Sequence, residues 1–545
     1  MKTIYTKLKP LWDNIYPNDN GTLEKLCAHI EDVKCKKSFD ANQELWYKNV
    51  IVYSLYVDRF CLNFNELTHK LDYLETLGVN CIWLLPILES PMKDAGFDIS
   101  DYRRVRKSLF STKDKSNDTQ QLFADFVKEA HRRNIKIIFD VALNHCSDEH
   151  EWFVEAKNKS SKYRNYFIWS DNTDKYSDAR VIFKGMCDSN WAKCGDEYYF
   201  HRFFEFQPDL NYRNPEVLIE MIDILIYWLE IGVDGFRADA IPYIWKEDGT
   251  DCENLDGTHT ILKIIRSVLD FIRPNTLLLA EACQKPVEVV KYLSGGECNG
   301  GYHFPLMPMI FKSLALQDGS FIKNILNTDV TPPISGDSQW FTFLRCHDEL
   351  SLEHVYVNES DRYILHQHYC KNKLWDFREG EGIASRLSEL LDKNPDKILL
   401  AFSILLSLNG CPIIYYGDEF GMLNDENNYL NENKRIGKND TRFLVRGNIN
   451  WDETDKLISN GNNFHSKVFT GIKELIRIRK EADTFKDFTI EWIDAGKDCI
   501  LSYYAVSKSS KMLIINNLSS QKESITVGSQ DIELQPYEYR WICSE

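Results

Sequence analysis

The sequence lacks the features that would place a protein in a membrane or on nucleic acid. Its first twenty or so residues carry scattered lysines but no apolar stretch and no small-residue cleavage site, so they predict no signal peptide and no export. The most apolar run, residues 398–416, contains Asn409, Gly410 and Pro412, which favours a core helix followed by a buried strand over a membrane span. Basic residues are outnumbered: 65 Lys and Arg against 82 Asp and Glu leave a net charge of −17, and such a surface repels phosphate backbones and anionic lipids. We therefore expect neither a membrane nor a nucleic-acid partner.

Cysteine pairing motifs, internal repeats and low-complexity linkers are absent too. The 15 cysteines are odd in number and irregularly spaced, with no CxxC pair and no zinc-ligand cluster, so reduced thiols in a cytoplasmic protein are expected. With 43% hydrophobic and 27% charged residues the composition is that of a globular protein, which excludes disorder, collagen and coiled coil. A length of 545 residues predicts one large domain with appendages or several smaller domains.

Short apolar runs alternate with amphipathic stretches from about residue 49 onward. This alternation predicts an α/β fold in which a parallel sheet is wrapped by helices. Eight strand-and-helix pairs over roughly 430 residues favour a TIM (β/α)8 barrel with insertions over an open, doubly wound sheet. The predicted strands span residues 50–57, 81–86, 136–142, 235–240, 277–281, 301–304, 341–346 and 411–416, and the helices span 67–77, 120–133, 215–229, 258–272, 287–293, 307–316, 398–408 and 465–482.

Three segments fall outside this repeat. Residues 1–48 have apolar side chains at helical spacing and predict an N-terminal helical extension. Residues 146–204 are aromatic and polar, and they predict a subdomain inserted after the third strand. Residues 485–545 predict short alternating strands of a C-terminal antiparallel β domain. The catalytic barrel would then comprise residues 49–145 and 205–484.

Polar side chains stand where the predicted barrel strands end, which is where functional groups of such a barrel lie. The third strand ends in DVALNH, the fourth in GFRADA, the fifth in LLAEAC and the seventh in FLRCHDEL. A single aspartate at a strand end is commonly a structural cap, but four such coincidences favour a site. Three carboxylates with two histidines and an arginine suit cleavage of a glycosidic bond, which needs one carboxylate as nucleophile and one carboxylic acid to protonate the leaving oxygen.

Asp239 is the better candidate for the nucleophile. Arg237 precedes it by two residues, so on a strand both side chains face the same side, and the arginine's charge would keep Asp239 ionised. Glu281 follows an apolar run, where partial desolvation would raise its pKa and hold the proton that an acid catalyst donates. The alternative for Glu281 is a salt bridge to a neighbouring strand.

The segments DVALNH, GFRADA, AEACQ and CHDEL resemble, in order and spacing, the four signature regions of the α-amylase superfamily, glycoside hydrolase family 13. The resemblance covers nearly everything after residue 48. It implies that Asp239 is the nucleophile, Glu281 the general acid and base, and Asp348 the third carboxylate, which supports the oxocarbenium-like transition state. The substrate-binding positions that it implies are Asp94, Phe97, Asp98, His145, Gln207, Arg237, His347 and Arg446, with a purely structural role as the alternative for Asp98.

Four longer stretches resemble one subgroup of the family, the trehalose synthases. Residues 189–215, 249–259 and 301–308 lie outside the shared signatures, and residues 343–353 extend beyond the signature CHDEL on both sides. The metal-binding loop that this subgroup carries after the first strand is missing here. Residues 440–451 are instead similar to the corresponding segment of amylosucrases.

The position of one arginine in that amylosucrase-like segment bears on how the pocket is closed. Arg446 keeps the usual distance from Trp451, which implies an Asp94–Arg446 pair at the end of the pocket. The alternative is that Arg442 or Arg446 merely binds a surface carboxylate, an interaction worth little.

The subgroup resemblance also implies a structural calcium site, although the family requires no cofactor for its reaction. Its ligands would be Asn144, Asp209 and the main-chain oxygens of Tyr243 and Ile244. The matching carboxylate position is Lys246, whose ammonium group cannot bind a cation. Either Glu247 supplies the missing ligand or Lys246 replaces the ion.

The expected function is that of a retaining enzyme acting on a small α-glucoside such as maltose, trehalose or sucrose through a β-glucosyl enzyme. We favour an isomerase of maltose and trehalose, in which the released glucose stays caged and reattacks. If water enters instead, the enzyme is an α-glucosidase or α-amylase-type hydrolase; if another sugar enters, it is an amylosucrase-like transglucosylase. A catalytically silent binding subunit is a remote alternative, since all three carboxylates are present. The sequence does not decide whether the protein forms a homo-oligomer.

A caged intermediate requires a lid that excludes water. We expect this lid to consist of residues 353–397 together with the aromatic side chains Trp191, Tyr198, Tyr199 and Phe200 of the insert.

Overall fold

The eight predicted strands form a closed, fully parallel barrel in the computed structural model, which describes residues 2–37, 39, 44–111, 118–528 and 530–544. Each strand pairs with its neighbours in chain order, and the eighth closes the barrel against the first. The barrel strands are β1 Val52–Leu55, β2 Cys81–Leu84, β3 Lys136–Ala142, β4 Gly235–Asp239, β5 Leu277–Ala280, β6 Gly300–Tyr302, β7 Gln339–Phe343 and β8 Cys411–Tyr415. The predicted TIM barrel is confirmed.

Continuous apolar sequence explains why these strands occupy the centre of the molecule. All four residues of β5, for example, are buried, as expected for a parallel strand that is covered on both faces. Close contact between strands also requires glycine at position 235. A Cβ atom on Gly235 would lie 2.5 Å from the carbonyl oxygen of Leu277 on the adjacent strand.

One long helix follows each strand and covers the barrel. Asn214 and Asn394 each cap a helix whose first residue is proline, and their side chains accept hydrogen bonds from backbone N–H groups of the first turn. The eight helices are α1 Phe64–Leu77, α2 Thr119–Arg132, α3 Pro215–Ile231, α4 Asp256–Ile272, α5 Pro286–Ser294, α6 Leu306–Leu316, α7 Pro395–Ser407 and α8 Phe464–Glu481.

Two helices, Lys2–Ile15 and Thr22–Lys36, occupy the predicted N-terminal extension. They pack against α4 and α3 through a buried apolar face that includes Trp12 and Ile30. Residues 1, 38 and 40–43 of the predicted extension lie outside the described residues.

The insert after β3 contains a short helix, Glu151–Ala156, and a three-stranded antiparallel sheet. The strands are Trp169–Ser170, Trp191–Cys194 and Glu197–Phe200, with the third in the middle. The segment between β7 and α7 folds into the helices Glu359–Tyr369 and Leu387–Leu390 and the short strands Leu350–Ser351, Asp376–Phe377 and Gly382–Ile383.

The C-terminal region consists of antiparallel strands, as predicted. Four of them, Thr489–Ile493, Ile500–Val506, Lys511–Asn517 and Tyr539–Ser544, form one sheet, and Glu523–Val527 pairs with Gln530–Leu534. The remaining elements are the helices Val57–Phe60, Ser320–Ile325, Glu426–Ile436 and Trp451–Ser459, the paired strands Leu88–Glu89 and Asp101–Val105, and short 3-10 turns. The exact boundaries between the barrel, the insert and the terminal regions stay predictions.

None of the helices in the described part of the chain combines the length and the apolar character that a bilayer crossing needs. The apolar run 398–416 forms most of α7 and all of β8, both buried, as the interrupting residues predicted.

Candidate active site

The carboxyl ends of the barrel strands surround one cavity, and most of the predicted site residues line it. Because the strands are parallel, the polar residues that follow β3, β4, β5 and β7 converge at this end. The predicted residues that line the cavity are Asp94, Phe97, His145, Gln207, Arg237, Asp239, Glu281, His347 and Asp348. The cavity also receives Ile182, Phe183, Phe203, Tyr243, Cys283, Glu349, Glu353, Arg378 and Arg442.

A buried arginine joins two aspartates at the floor of this cavity. Arg237 Nη1 lies 2.5 Å from Asp140 Oδ1 and 2.7 Å from Asp239 Oδ1. Asp140 is held from its other side by the Trp83 indole N–H, at 2.9 Å. Burial raises the pKa of Asp140 to about 7 even though Arg237 acts in the opposite direction. Asp140 therefore fixes the guanidinium that in turn orients Asp239.

Glu281 lies beside the same arginine in a surrounding that suits an acid. Its Oε1 atom is 3.9 Å from Arg237 Nη2 and accepts a hydrogen bond from the Cys283 thiol at 3.1 Å, while Oε2 accepts one from the backbone N–H of Ala240 at 2.9 Å. Burial raises the pKa of Glu281 to about 7, against the opposing charge of Arg237. At neutral pH this carboxyl group can therefore both give and take a proton.

Asp348 is in the opposite electrostatic situation. Burial disfavours its ionisation, but His347 together with the guanidinium groups of Arg442 and Arg446 holds the pKa of Asp348 well below its usual range. The carboxylate lies 3.0 Å from His347 Nε2, 3.1 Å from Arg442 Nη1 and 2.9 Å from Arg446 Nη2. Asp348 is consequently an anion, and burial lowers the pKa of the His347 ring to about 4.

The expected Asp94–Arg446 pair is wrong, because Arg442 takes that place. Arg442 Nη2 lies 3.2 Å from Asp94 Oδ1, and the same side chain is anchored by Asp440. Arg446 donates instead to the main-chain oxygen of His347 at 2.8 Å and does not line the cavity. Both arginines are buried, so neither is a surface ion pair.

Three predicted sugar contacts lie side by side on one wall, namely Asp94, His145 and Gln207. Gln207 Nε2 is 3.0 Å from Asp94 Oδ2 and 3.4 Å from His145 Nε2. Phe97 stacks on His347, with ring centroids 5.2 Å apart.

Asp98, a further predicted substrate-binding residue, does not reach the cavity. Its carboxylate accepts hydrogen bonds from the backbone N–H groups of residues 93 and 94, so it shapes the loop that carries Asp94 and Phe97.

The aromatic part of the predicted lid is wrong, although Glu353 and Arg378 of its other part, residues 353–397, do line the cavity. Trp191 and Phe200 are buried within the insert, Tyr198 packs against the same cluster, and Tyr199 donates to the main-chain oxygen of Glu205. The aromatic side chains that reach the cavity come from other parts of the insert, namely Phe183 and Phe203.

A chain of ion pairs connects the insert with the segment after β7. Arg180 Nη1 lies 3.4 Å from Glu353 Oε2, and Arg180 Nη2 lies 3.2 Å from Tyr243 Oη. Arg378 donates to Glu353 at 3.0 Å and to Glu381 at 2.8 Å. Since Glu353 and Arg378 line the cavity, these pairs tie its two walls together.

Lys246 stands at the centre of the expected calcium site. Its Nζ atom lies 2.7 Å from Asn144 Oδ1, 2.8 Å from Asp209 Oδ2 and 3.4 Å from the main-chain oxygen of Ile244. Glu247, the possible substitute ligand, is more than half exposed and faces Arg213, so it is no ligand. Tyr243 contributes its side chain to the catalytic cavity. An ammonium group thus fills the space between the oxygens, and the residues present do not fit a calcium ion.

Sequence reasoning missed several residues of the site for two different reasons. Asp140 and Cys283 lie within the segments DVALNH and AEACQ. Asp140 meets Arg237 through the register of β3 with β4, and Cys283 meets Glu281 through the conformation of the loop after β5. Phe183 and Phe203 come from irregular parts of the insert, where spacing along the chain gives no signal for position. Arg378 lies within the predicted lid segment 353–397, but nothing in that segment identified this residue. Glu353 is the first residue of the segment predicted as a lid, whereas the sequence did not identify Glu349.

Comparison with known proteins gives a consistent result over most of the chain. The family profile for the α-amylase catalytic domain matches residues 63–487. A trehalose synthase/amylase of Mycolicibacterium smegmatis is 43% identical over 392 residues, which cover 69% of this chain and 64% of that protein. A trehalose synthase of Pimelobacter sp. is 33% identical over 534 residues, which cover 91% of this chain and 90% of that one. The chain therefore spans somewhat less than two thirds of the Mycolicibacterium relative.

Solved structures share the fold at low sequence identity. An α-amylase from H. orenii has a TM-score of 0.71 at 23% identity and covers 91% of this chain and all of its own. The isomaltulose synthase SmuA from Protaminobacter rubrum has a TM-score of 0.70 at 20% identity, with 91% of this chain and 99% of its own covered. With the matching profile, the chain belongs to the α-amylase family, glycoside hydrolase family 13.

Proposed function

We propose that this protein interconverts maltose and trehalose by moving one glucosyl unit within a closed pocket. The observation that carries the proposal is the contact of one arginine, Arg237, with both Asp239 and Glu281 on the floor of a cavity whose walls are held together by ion pairs. The similarity to trehalose synthases supports the choice of reaction. The substrates are small α-glucosides.

In the first step Asp239 attacks the anomeric carbon of the bound disaccharide. The bond to the leaving glucose breaks as Glu281, in its acid form, gives its proton to the departing oxygen. A β-glucosyl ester on Asp239 and one free glucose molecule result. Asp348, which is ionised, stabilises the positive charge that develops on the sugar ring.

In the second step the freed glucose turns within the pocket and presents its anomeric hydroxyl group. Glu281, now a carboxylate, takes the proton of that hydroxyl group. The hydroxyl oxygen attacks the anomeric carbon of the glucosyl unit on Asp239. The bond between Asp239 and the glucosyl anomeric carbon breaks, and the acceptor oxygen now joins the two anomeric carbons. Glu281 is protonated again, so no cofactor or other reactant is consumed.

The Asp94–Arg442 pair closes the far end of the pocket. It lies beside Gln207 and His145, where it would receive the outer hydroxyl groups of the glucosyl unit. Closure behind one sugar ring restricts the enzyme to a terminal glucose, which favours disaccharides over long glucans.

Retention of the freed glucose depends on the other end of the pocket. Phe183 and Phe203 reach it from the insert, while Glu353 and Arg378 reach it from the segment after β7. Arg180 bridges the two sides. Because a caged hydroxyl group has an effective concentration far above that of free glucose, reattack competes with water only while these walls stay closed.

We also propose that Lys246 takes the structural role that calcium plays in related enzymes. Its ammonium group compensates the buried charge of Asp209 and binds the Asn144 side chain. Such a pair contributes to the connection between barrel and insert without an ion.

The product distribution tests the proposed reaction. Purified protein incubated with maltose should form trehalose as the main product, with glucose as a minor one, because reattack is faster than hydrolysis. Chromatography of the sugars over time measures the ratio, and the matched variant Asp239→Asn excludes contaminating activity. Accumulation of glucose with no trehalose would mean a hydrolase, and turnover of sucrose but not maltose would mean the transglucosylase alternative.

The pH dependence tests the role of Glu281. Since cleavage needs its protonated form, turnover should fall as the pH rises through about 7. Cys283→Ala removes a donor that stabilises the carboxylate, so the fall should move to higher pH, and Cys283→Ser should restore it. Cys298→Ala, a buried thiol that does not line the pocket, is the control. An unchanged pH profile in Cys283→Ala would show that the Cys283 thiol does not affect the pKa of Glu281.

Metal dependence tests the role of Lys246. A chelator should leave the melting temperature unchanged, whereas Lys246→Met should cost about 3–5 kcal/mol because Asp209 is left buried without a counter-charge. Lys467→Met, at an ion pair with Asp396 in which both side chains are about half exposed, should cost roughly 0.5 kcal/mol or less. Lys246→Asp should regain stability on addition of calcium. A melting temperature of the unmutated protein that drops with chelator would refute the proposal.

A further inference from the structure

Three metal-ligating side chains meet outside the active site, in the segment between β7 and α7. His366 lies in the helix Glu359–Tyr369, Cys370 ends that helix, and Asp376 begins the strand Asp376–Phe377. One ligand atom of each lies within 4.8 Å of the other two. All three line a surface cavity that shares no residue with the catalytic one.

The local fold explains why these side chains converge. His366 and Cys370 are four residues apart, so both face the same side of the helix. Asp376 is held opposite them because its strand pairs with Gly382–Ile383, and its main-chain oxygen accepts a hydrogen bond from Thr441 at 3.2 Å. The His366 Nε2 and Asp376 Oδ1 atoms are 2.7 Å apart.

The ligand set of one imidazole, one thiol and one carboxylate selects the metal. Zinc binds nitrogen, sulfur and oxygen ligands at about 2.0–2.3 Å in tetrahedral sites, which places neighbouring ligand atoms roughly 3.4–3.8 Å apart. Since the three atoms already lie within 4.8 Å of one another, side-chain shifts of about 1 Å would bring them to these separations. Magnesium and calcium prefer oxygen ligands alone. We propose that His366, Cys370 and Asp376 bind one zinc ion, with water in the fourth position.

The charges around the site favour the ion. Binding converts the Cys370 thiol to a thiolate and releases its proton to solvent, so the thiolate and Asp376 together balance the two charges of zinc. Glu359 and Glu379 also line the cavity, and they offset the nearby Arg362 and Lys373.

A second group of the same kind, Cys346 with His347 and Asp348, is the competing location among the described residues. It belongs to the catalytic pocket, where Arg442 and Arg446 already lie against Asp348. Two guanidinium groups in direct contact with one proposed ligand repel a cation. In the part of the chain that the structure describes, no arginine or lysine lies within ion-pair distance of Asp376, whose partner is His366.

Zinc at the surface site would act on the wall of the catalytic pocket. Residue 376 starts the hairpin that carries Arg378, which lines the pocket and donates to Glu353. A metal bond between the helix end and Asp376 would fix that hairpin. Zinc would bind at this site whichever reaction the pocket performs.

Cobalt is a spectroscopic probe for this site, because a thiolate ligand gives a sulfur-to-cobalt charge-transfer band. The full-length protein titrated with Co²⁺ should show this band with one equivalent bound, and Zn²⁺ should abolish it. Cys370→Ser and His366→Ala should lose the band, whereas Cys35→Ser, at an exposed thiol elsewhere, should keep it. No band, or a band that Cys370→Ser retains and Cys346→Ser loses, would overturn the proposal.

A second measurement needs no variant and is unaffected by misfolding. Alkylation of Cys370 by iodoacetamide, followed by peptide mass spectrometry, should slow at least tenfold in saturating Zn²⁺, while Cys35 reacts at the same rate with and without the metal. Mg²⁺ should have no effect on either thiol. Equal alkylation of Cys370 with and without Zn²⁺ would contradict the site.

Discussion

The buried positive charge of Arg237 is the interaction on which the rest of the active site depends. A guanidinium with 3% exposure is costly to bury unless anions compensate it, and Asp140, Asp239 and Glu281 all lie against it. Its face is covered by the rings of Trp83 and Tyr302. Because the one guanidinium lies against all three carboxyl groups, it fixes their positions relative to one another.

The same geometry divides the carboxyl groups by protonation state. Glu281 lies 3.9 Å from Arg237 Nη2 and accepts hydrogen bonds from two uncharged groups, the Cys283 thiol and the Ala240 N–H. Burial raises its pKa to about 7. Asp348 is contacted directly by Arg442 and Arg446, which with His347 overcome the effect of burial and lower its pKa. Environments that separate the pKa values of neighbouring carboxyl groups assign the acid and the anion within one pocket. Here the assignment agrees with a retaining glycoside mechanism.

The barrel and the floor of the site could be predicted because both follow from local pattern. Short apolar runs specify the strands. Residues at the carboxyl ends of parallel barrel strands lie around one cavity for any conformation of the loops. The segment 353–397 was predicted to cover the pocket and supplies Glu353 and Arg378, but the individual wall residues could not be predicted, since they depend on how irregular segments pack. Trp191 and Phe200 were expected at the pocket, yet their size and apolar character draw them into the core of the insert. Arg442 and Arg446 both lie in one 3-10 turn or at its end, so only tertiary packing decides which of them meets Asp94.

The central claim is that Asp239, held by Arg237, carries the glucosyl group between cleavage and reattack. The most direct measurement is peptide mass spectrometry of the Glu281→Gln variant after reaction with α-glucosyl fluoride. Fluoride leaves without an acid, whereas release of the ester needs the missing base, so the intermediate should accumulate. We expect one added hexose on the peptide that contains Asp239. A hexose on another carboxylate, or none on any peptide while fluoride is still released, would contradict the account.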